Sequence, residues 1–179
     1  MSLYAATLAL ATFLLLLGGL LLWNGTAVKT NAMRFLRSDQ AAWITFGGSG
    51  IWFLWTILHL SEADFGTYKL WLFLFFGALV ITSFFHVKDF LSVRGLAALT
   101  LLSSYELLEV AYFQEPQSRL FFVSFIYLCV ILALFLGSLP FLLRNFFEWL
   151  FHTKTRPRGL GIILGGYGAL LAFVALNTY

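Results

Sequence analysis

Six long apolar segments dominate the sequence and constrain what the chain can fold into. A transmembrane helix needs about 20 mostly apolar residues to cross about 30 Å of hydrocarbon. The segments lie at about 3–23, 42–60, 70–85, 96–113, 120–139 and 160–176. The sequence therefore predicts one all-α integral membrane domain over 1–179, built as a bundle of six transmembrane helices.

The composition argues against the other protein classes. Of the 179 residues, 61% are hydrophobic and 11% are charged, whereas a soluble domain carries about 25% charged residues. A disordered chain would show the opposite pattern, with low hydrophobicity and high charge. The lone cysteine, Cys129, has no partner for an internal disulfide, so a disulfide framework is excluded.

The basic residues predict the orientation of the six segments. Lysine and arginine favour the cytoplasmic side of a membrane. The loops after the first, third and fifth segments hold Lys29, Arg34, Arg37, Lys88, Arg94, Arg144, Lys154, Arg156 and Arg158, and the other two loops hold Lys69 and Arg119. We therefore expect an inner (plasma) membrane protein with both termini extracytoplasmic. Its net charge of +3 suits anionic lipids on the cytoplasmic side and does not indicate a nucleic-acid partner.

The range 141–152, which follows Pro140, predicts a different kind of helix. Its polar residues Arg144, Asn145, Glu148 and His152 fall within one arc of about 100° on a helix. Arg144 and Glu148 are spaced to pair at i, i+4. We expect an amphipathic helix in the cytoplasmic interface, acting as a topological anchor or as a docking face for a partner.

Small residues mark where membrane helices pack closely. Gly161, Gly165 and Ala169 repeat every four residues in the last segment, and the second segment carries Gly47, Gly48 and Gly50. We expect these six residues to lie at helix contacts, within one bundle or between copies of a homo-oligomer.

Gly47, Gly48, Ser49 and Gly50 also match the GxSG letters around the serine of rhomboid-type intramembrane proteases. A serine nucleophile needs a general base within hydrogen-bond reach. His59 lies ten residues further along the same helix, about 15 Å away along its axis, and the last segment contains no histidine. Helix packing is therefore the favoured interpretation of this stretch.

Two glutamates lie inside the fourth segment. Counting from Leu96 at about 1.5 Å per residue places Glu106 about 15 Å deep, near the bilayer midplane, and Glu109 about 4.5 Å further out. Tyr105 and Tyr112 share their arc of about 120°. We expect this stripe to face the bundle interior, because acidic side chains against lipid are costly.

Three interpretations of the stripe follow. It forms a proton or cation pathway with Tyr105, Tyr112 and Tyr127; it forms a structural network of hydrogen bonds; or it pairs with a cation from another subunit. The leading expectation is a small multi-pass protein that binds or conducts a proton or small cation through Glu106 and Glu109. The alternative is a non-catalytic accessory or assembly subunit of a larger membrane complex, and an enzyme ranks third.

No metal site or cofactor is expected. His59, Glu62, Asp64 and Glu115 cluster towards the outer ends of their segments, and with Glu109 they offer oxygen and nitrogen donors. Their spacing matches no ligand motif, so a solvated acidic loop is the favoured interpretation.

Overall fold

The computed structural model describes residues 2–23, 25–62, 65–87, 89–112, 114–115 and 117–178. Asp64, Lys88 and position 113, where the fourth predicted segment ends, lie outside these residues. The described residues form eight helices: α1 (Leu3–Trp23), α2 (Gly25–Phe35), α3 (Asp39–Leu58), α4 (Gly66–His86), α5 (Leu91–Ala111), α6 (Arg119–Ser138), α7 (Phe141–Leu150) and α8 (Thr155–Thr178). Six of them, all except α2 and α7, are long and apolar enough to cross a membrane, which confirms the six predicted segments.

The helix ends differ from the hydropathy boundaries at several places. α5 begins at Leu91 and α8 at Thr155, each five residues before the predicted start. The early start of α8 places Pro157 in its first turn, where the missing N–H of proline has no intrahelical partner to lose. The predicted amphipathic helix over 141–152 is observed as α7, ending at Leu150.

The core lies between α1, α5, α6 and α8. Leu14 from α1, Phe122 and Ile126 from α6 and Leu171 from α8 are almost fully buried, and Ala111 from α5 joins them. α1 and α8 pack along their length, as do α5 and α6. The buried side of α5 is a row of small residues, Ala97, Ser104 and Ala111, which repeats every seven residues and so stays on one face of the helix.

α3 and α4 pack on the outside of this core. α3 contains a π-helical segment, Trp43–Gly47, between its two α-helical parts, and this segment contacts α5. α4 packs against α3, where Trp43 stacks on Phe84 with ring centroids 4.3 Å apart. Within the part of α4 from Lys69 to His86 no residue is buried.

α2, the α4–α5 loop and α7 meet at one end of the bundle. A cavity of about 480 Å³ there is lined by the α2–α3 loop with Arg37, the start of α3 with Asp39, the α4–α5 loop with Asp89, the start of α5, and Arg144 of α7. We call this the basic end, because its described residues hold Lys29, Arg34, Arg37, Arg94, Arg144, Lys154, Arg156 and Arg158.

Candidate functional site

The two glutamates lie on the surface of the chain. Glu106 and Glu109 are both exposed, so the expectation that the stripe faces the bundle interior is wrong for the single chain. Tyr105 and Tyr112 beside them are 65% and 69% exposed, and Tyr127 on α6 is 55% exposed. The physical reason is that the small-residue row of α5 takes the packed face, and the glutamates lie well around the helix from it.

Their depth along α5 also differs from the expectation. The midpoint of Leu91–Ala111 is Leu101, so Glu106 lies about 7.5 Å and Glu109 about 12 Å from the centre of the helix. The displacement arises because α5 begins five residues earlier than the apolar segment. Both carboxyls therefore belong to the half of α5 that leads away from the basic end.

The stripe continues a groove on the surface of α5. Leu101 and Leu102 line an apolar groove of about 320 Å³ together with Phe53 and Val80 from α3 and α4. Tyr105 and Glu106 follow the two leucines at i+4, so they lie one turn further along the same side of the helix. The surface therefore changes from apolar to acidic between one turn and the next.

Within the described part of the chain, neither glutamate carboxyl has a hydrogen-bond or ion-pair partner. Arg119, the cation nearest to Glu109 in the sequence, donates instead to the carbonyls of Ala111 (3.3 Å) and Gln114. Two carboxylates one helical turn apart repel each other when both are ionised. The arrangement is chemically suited to accept a proton, a cation or a hydrogen-bond donor that the chain itself does not supply.

Three glycines of the last predicted segment, Gly161, Gly165 and Gly168, lie at the α1–α8 contact. A Cβ on Gly161 would lie 2.9 Å from the Gly18 carbonyl oxygen, and a Cβ on Gly18 would lie 2.9 Å from the Gly165 backbone nitrogen. Ala169, the third member of the predicted four-residue repeat, is exposed, so the repeat contributes to the α1–α8 contact only as far as Gly165. The contact continues through Gly168, whose Cβ would lie 3.0 Å from the Ala11 carbonyl oxygen.

The glycines of α3 are placed unequally. A Cβ on Gly50 would lie 2.9 Å from Val80 of α4, and one on Gly47 would lie 3.8 Å from Phe84. Among the described residues, no atom lies within 4 Å of a Cβ built on Gly48. Ser49 is 3% exposed and its hydroxyl donates to the Phe46 carbonyl (3.0 Å), which satisfies it within its own helix.

Gly95 of α5, which the sequence patterns did not single out, makes the closest helix contact. A Cβ there would lie 2.6 Å from the Cα of Phe46 and would touch its backbone nitrogen. Beside it, the Thr45 hydroxyl donates to the carbonyl of Ser92 (3.0 Å), and the Ser92 hydroxyl donates to that of Phe35 (2.9 Å). These contacts join α2, α3 and α5. The sequence does carry a signal for this contact, because the small residues Ser92 and Gly95 lie within one helical turn of each other, as is typical of close helix packing.

The amphipathic helix α7 carries an ion pair and a ring contact. Arg144 Nε lies 3.6 Å from Glu148 Oε1, at the spacing predicted. Arg156 from the start of α8 donates to the Trp149 carbonyl (2.8 Å) and places its guanidinium carbon 4.7 Å from the Trp149 ring centroid. His152 lies just after α7, in the turn that leads to α8.

The other two histidines are engaged with their own helices. His59 and His86 place Nδ1 at 2.9 Å and 3.1 Å from the carbonyls of Trp55 and Thr82. Across the described residues, no three His, Cys, Asp or Glu side chains come together. Asp64, one of the outer acidic residues considered above, lies outside the described residues.

The chain has no match among protein-family models, curated proteins or solved structures.

Proposed function

We propose that the chain is an integral membrane protein of the inner (plasma) membrane, with its basic end in the cytoplasm. Large apolar side chains are exposed on all six long helices, and Leu16, Ile163 and Phe173 are each more than 60% exposed. A soluble monomer rarely exposes contiguous apolar surface on this scale. The segregation of lysine and arginine to one end supports the orientation, because cytoplasmic loops carry the excess of these residues.

Single cysteines test this placement. In a Cys129→Ser background, Glu115→Cys and Lys154→Cys mark opposite ends of the bundle at exposed positions. A membrane-impermeant maleimide should label Glu115→Cys on intact spheroplasts, and Lys154→Cys only after permeabilisation. The reverse pattern would overturn the orientation, and labelling of both positions would overturn the membrane placement.

For its function, we propose a non-catalytic subunit of a larger membrane complex, in which a partner of different sequence covers Glu106 and Glu109. The observation that carries this proposal is the exposure of both carboxyls on a membrane-length helix. An acidic side chain costs about 2.5–3.5 kcal/mol at the centre of a transmembrane helix and less towards its ends, and intramembrane acidic residues almost always face protein or a wet cavity. Glu106, about 7.5 Å from the centre of α5, therefore carries more of this cost than Glu109, about 12 Å from it. The apolar surface around the two glutamates is compatible with contact to lipid. The acidic stripe with Glu106 and Glu109 is therefore the part of α5 that we expect another protein to cover.

The chemistry of the partner follows from what this chain lacks. The lysines and arginines among the described residues lie in loops, in α2 and α7, or in the first turn of a long helix, as Arg94 and Arg158 do. A second copy of the chain therefore brings no cation to the depth of Glu106. The partner should present a basic or amide side chain within a span of its own, since hydrogen bonds to a charged group contribute about 1.5–3 kcal/mol.

Site-specific photocrosslinking tests the partner face. A benzoyl-phenylalanine at Tyr105 should give one adduct of defined mass in native membranes, and Glu106→Gln with Glu109→Gln should abolish it. The matched control is the same probe at Leu16, which is 64% exposed on α1 and should give no such adduct.

Three results would contradict the subunit proposal. They are an adduct that the double glutamine variant retains, an adduct equally strong at Leu16, and an adduct between two copies of this chain. Unfolding of the double variant in detergent serves as a further control, because exposed carboxyls without partners in the chain should leave its stability unchanged within about 0.5 kcal/mol.

Proton or cation binding remains the second candidate function. It is favoured by the two carboxyls one turn apart on the same exposed side of α5, because ionisable residues inside membranes mark ion pathways by default. Purified chain in proteoliposomes tests it directly. Proton or cation flux that Glu106→Gln and Glu109→Gln abolish would support the pathway and would make the separate-partner proposal unnecessary.

A further inference from the structure

A cavity of about 460 Å³ opens at the basic end, where α1 ends beside α2 and the α7–α8 turn. Its lining includes Lys29 from α2, Lys154 from the turn and Arg158 from the first turn of α8, together with His152. No acidic side chain occurs among its described lining residues. The cavity therefore offers three positive charges from three different elements to whatever occupies it.

Two other cations at the same end already have partners. Arg144 is paired with Glu148, and Arg156 is held by the carbonyl and the ring of Trp149. Among the described residues, the side chains of Lys29, Lys154 and Arg158 have neither an ion-pair nor a hydrogen-bond partner. Uncompensated charge in a concave site attracts an anion.

An apolar groove of about 930 Å³ continues from this cavity. The two share Leu21, Trp23 and Phe151 in their walls. The groove runs between α1 and α8, past Leu17 and Leu164, in the direction of the centre of the long helices. Its far end therefore lies where hydrocarbon chains lie in a bilayer.

The two short helices form the outer walls of the groove. α2 contributes Val28, Ala32 and Phe35, and α7 contributes Phe146 and Leu150. Residues 28, 32 and 35 recur at helical spacing, so α2 turns a mainly apolar side to the groove, with Asn31 as its polar member. The cavity and the groove together are therefore amphipathic, with basic side chains in the cavity and mainly aliphatic and aromatic side chains along the groove.

We infer that this cavity and groove together bind one anionic glycerophospholipid, with its phosphate head group among Lys29, Lys154 and Arg158 and an acyl chain along Leu17 and Leu164. Basic pockets between helices at the cytoplasmic side are suited to anionic lipid head groups. A zwitterionic lipid such as phosphatidylcholine would bring a quaternary ammonium group in among the three cations, and a free anion would leave the apolar groove unfilled. The inference rests on the proposed membrane placement and is independent of the partner proposed for Glu106.

Native mass spectrometry of the full chain in detergent tests the inference. We expect one phosphatidylglycerol per chain to be retained, whereas phosphatidylcholine is lost on detergent exchange. Lys154→Gln with Arg158→Gln should weaken phosphatidylglycerol binding about 30-fold, because each cation near an anionic lipid contributes a factor of about 5. Both residues are exposed, so the variant should fold; if it does not, Lys154→Gln alone should weaken binding about fivefold.

The matched control is Arg34→Gln with Arg37→Gln, which removes the same charge from two exposed residues that do not line the cavity. It should change affinity less than about threefold, since charges outside the cavity act only through screened solvent. If both double variants weakened phosphatidylglycerol binding equally, the binding would depend on the overall surface charge and not on this cavity, and the inference would be overturned.

Two ligand comparisons separate a lipid from its parts. Glycerol 3-phosphate and inorganic phosphate should bind far more weakly than phosphatidylglycerol; equal binding would show an anion site without a role for the groove and would overturn the lipid assignment. Equal retention of phosphatidylcholine would show non-specific lipid and would also overturn it. Because the measurement is made in detergent, its outcome does not depend on the cysteine-labelling test of membrane placement.

Discussion

Replacing Gly18 by alanine tests the close approach of α1 and α8. The new Cβ would lie 2.7 Å from the Gly161 carbonyl oxygen and 2.9 Å from the Gly165 nitrogen, whereas ordinary contact begins at 3.4 Å. The obstructing atoms are backbone, so no side-chain rotation relieves the overlap and the helices must separate by about 0.7 Å. A gap of that size forfeits a quarter to a half of each dispersion contact it widens, and overpacking typically costs about 1–3 kcal/mol.

Gly19→Ala is the matched control for this substitution. It makes the same chemical change one residue further along α1, and no described atom lies within 4 Å of its Cβ. Because alanine is the better helix former at both positions, the propensity gain cancels when the two variants are compared.

We expect Gly18→Ala to be less stable than Gly19→Ala by about 1–3 kcal/mol, measured by reversible unfolding in mixed micelles of mild detergent and dodecyl sulfate with circular dichroism as the readout. Equal stability of the two variants would refute the reasoning that backbone contact through Gly18 holds the two helices together.

Two further substitutions test the contact between α3 and α5 in the same unfolding assay. Gly95→Ala should lower the free energy of unfolding by about 3 kcal/mol or more, because the new Cβ would overlap with backbone atoms of α3. The control is Gly137→Ala, whose Cβ would have its nearest neighbour atom at 3.8 Å and which should cost less than about 0.5 kcal/mol. Similar losses in the two variants would show that the α3–α5 contact is easily widened. Thr45→Val should cost about 1–2 kcal/mol, because it removes a part-buried hydroxyl that donates both to the Ala41 carbonyl of its own helix (2.8 Å) and to the Ser92 carbonyl of α5 (3.0 Å). Thr12→Val loses only an exposed bond within its own helix and should be close to neutral; a loss as large as that of Thr45→Val would contradict the assignment.

Hydropathy was sufficient to predict the six long helices, because each is an apolar run of nearly membrane length. It misplaced the start of α5 because Ser92 and Arg94 read as polar loop residues. The structure instead buries Ser92 to 2% exposure and satisfies its hydroxyl with the Phe35 carbonyl. α2 was not predicted, although its apolar residues at 28, 32 and 35 recur at helical spacing.

The exposure of Glu106 was the least predictable property of the candidate site. Its cost in lipid argues for an inward position, but the rotation of α5 is set by what packs closest. Gly95 against the backbone of Phe46 and the row through Ala97 and Ser104 fix that rotation. The composition of a polar stripe indicates that it needs partners, and it does not tell whether they lie in the same chain.

The peripheral position of α4 has a mechanical consequence for the protein in membranes of different thickness. In the proposed membrane placement, acyl chains surround the part of α4 from Lys69 to His86, where no residue is buried, so we expect them to influence its tilt. A hydrophobic helix longer than the local hydrocarbon layer accommodates by tilting. In thinner bilayers α4 should therefore lean against α3 while the tightly packed pair α1 and α8 keeps its crossing geometry.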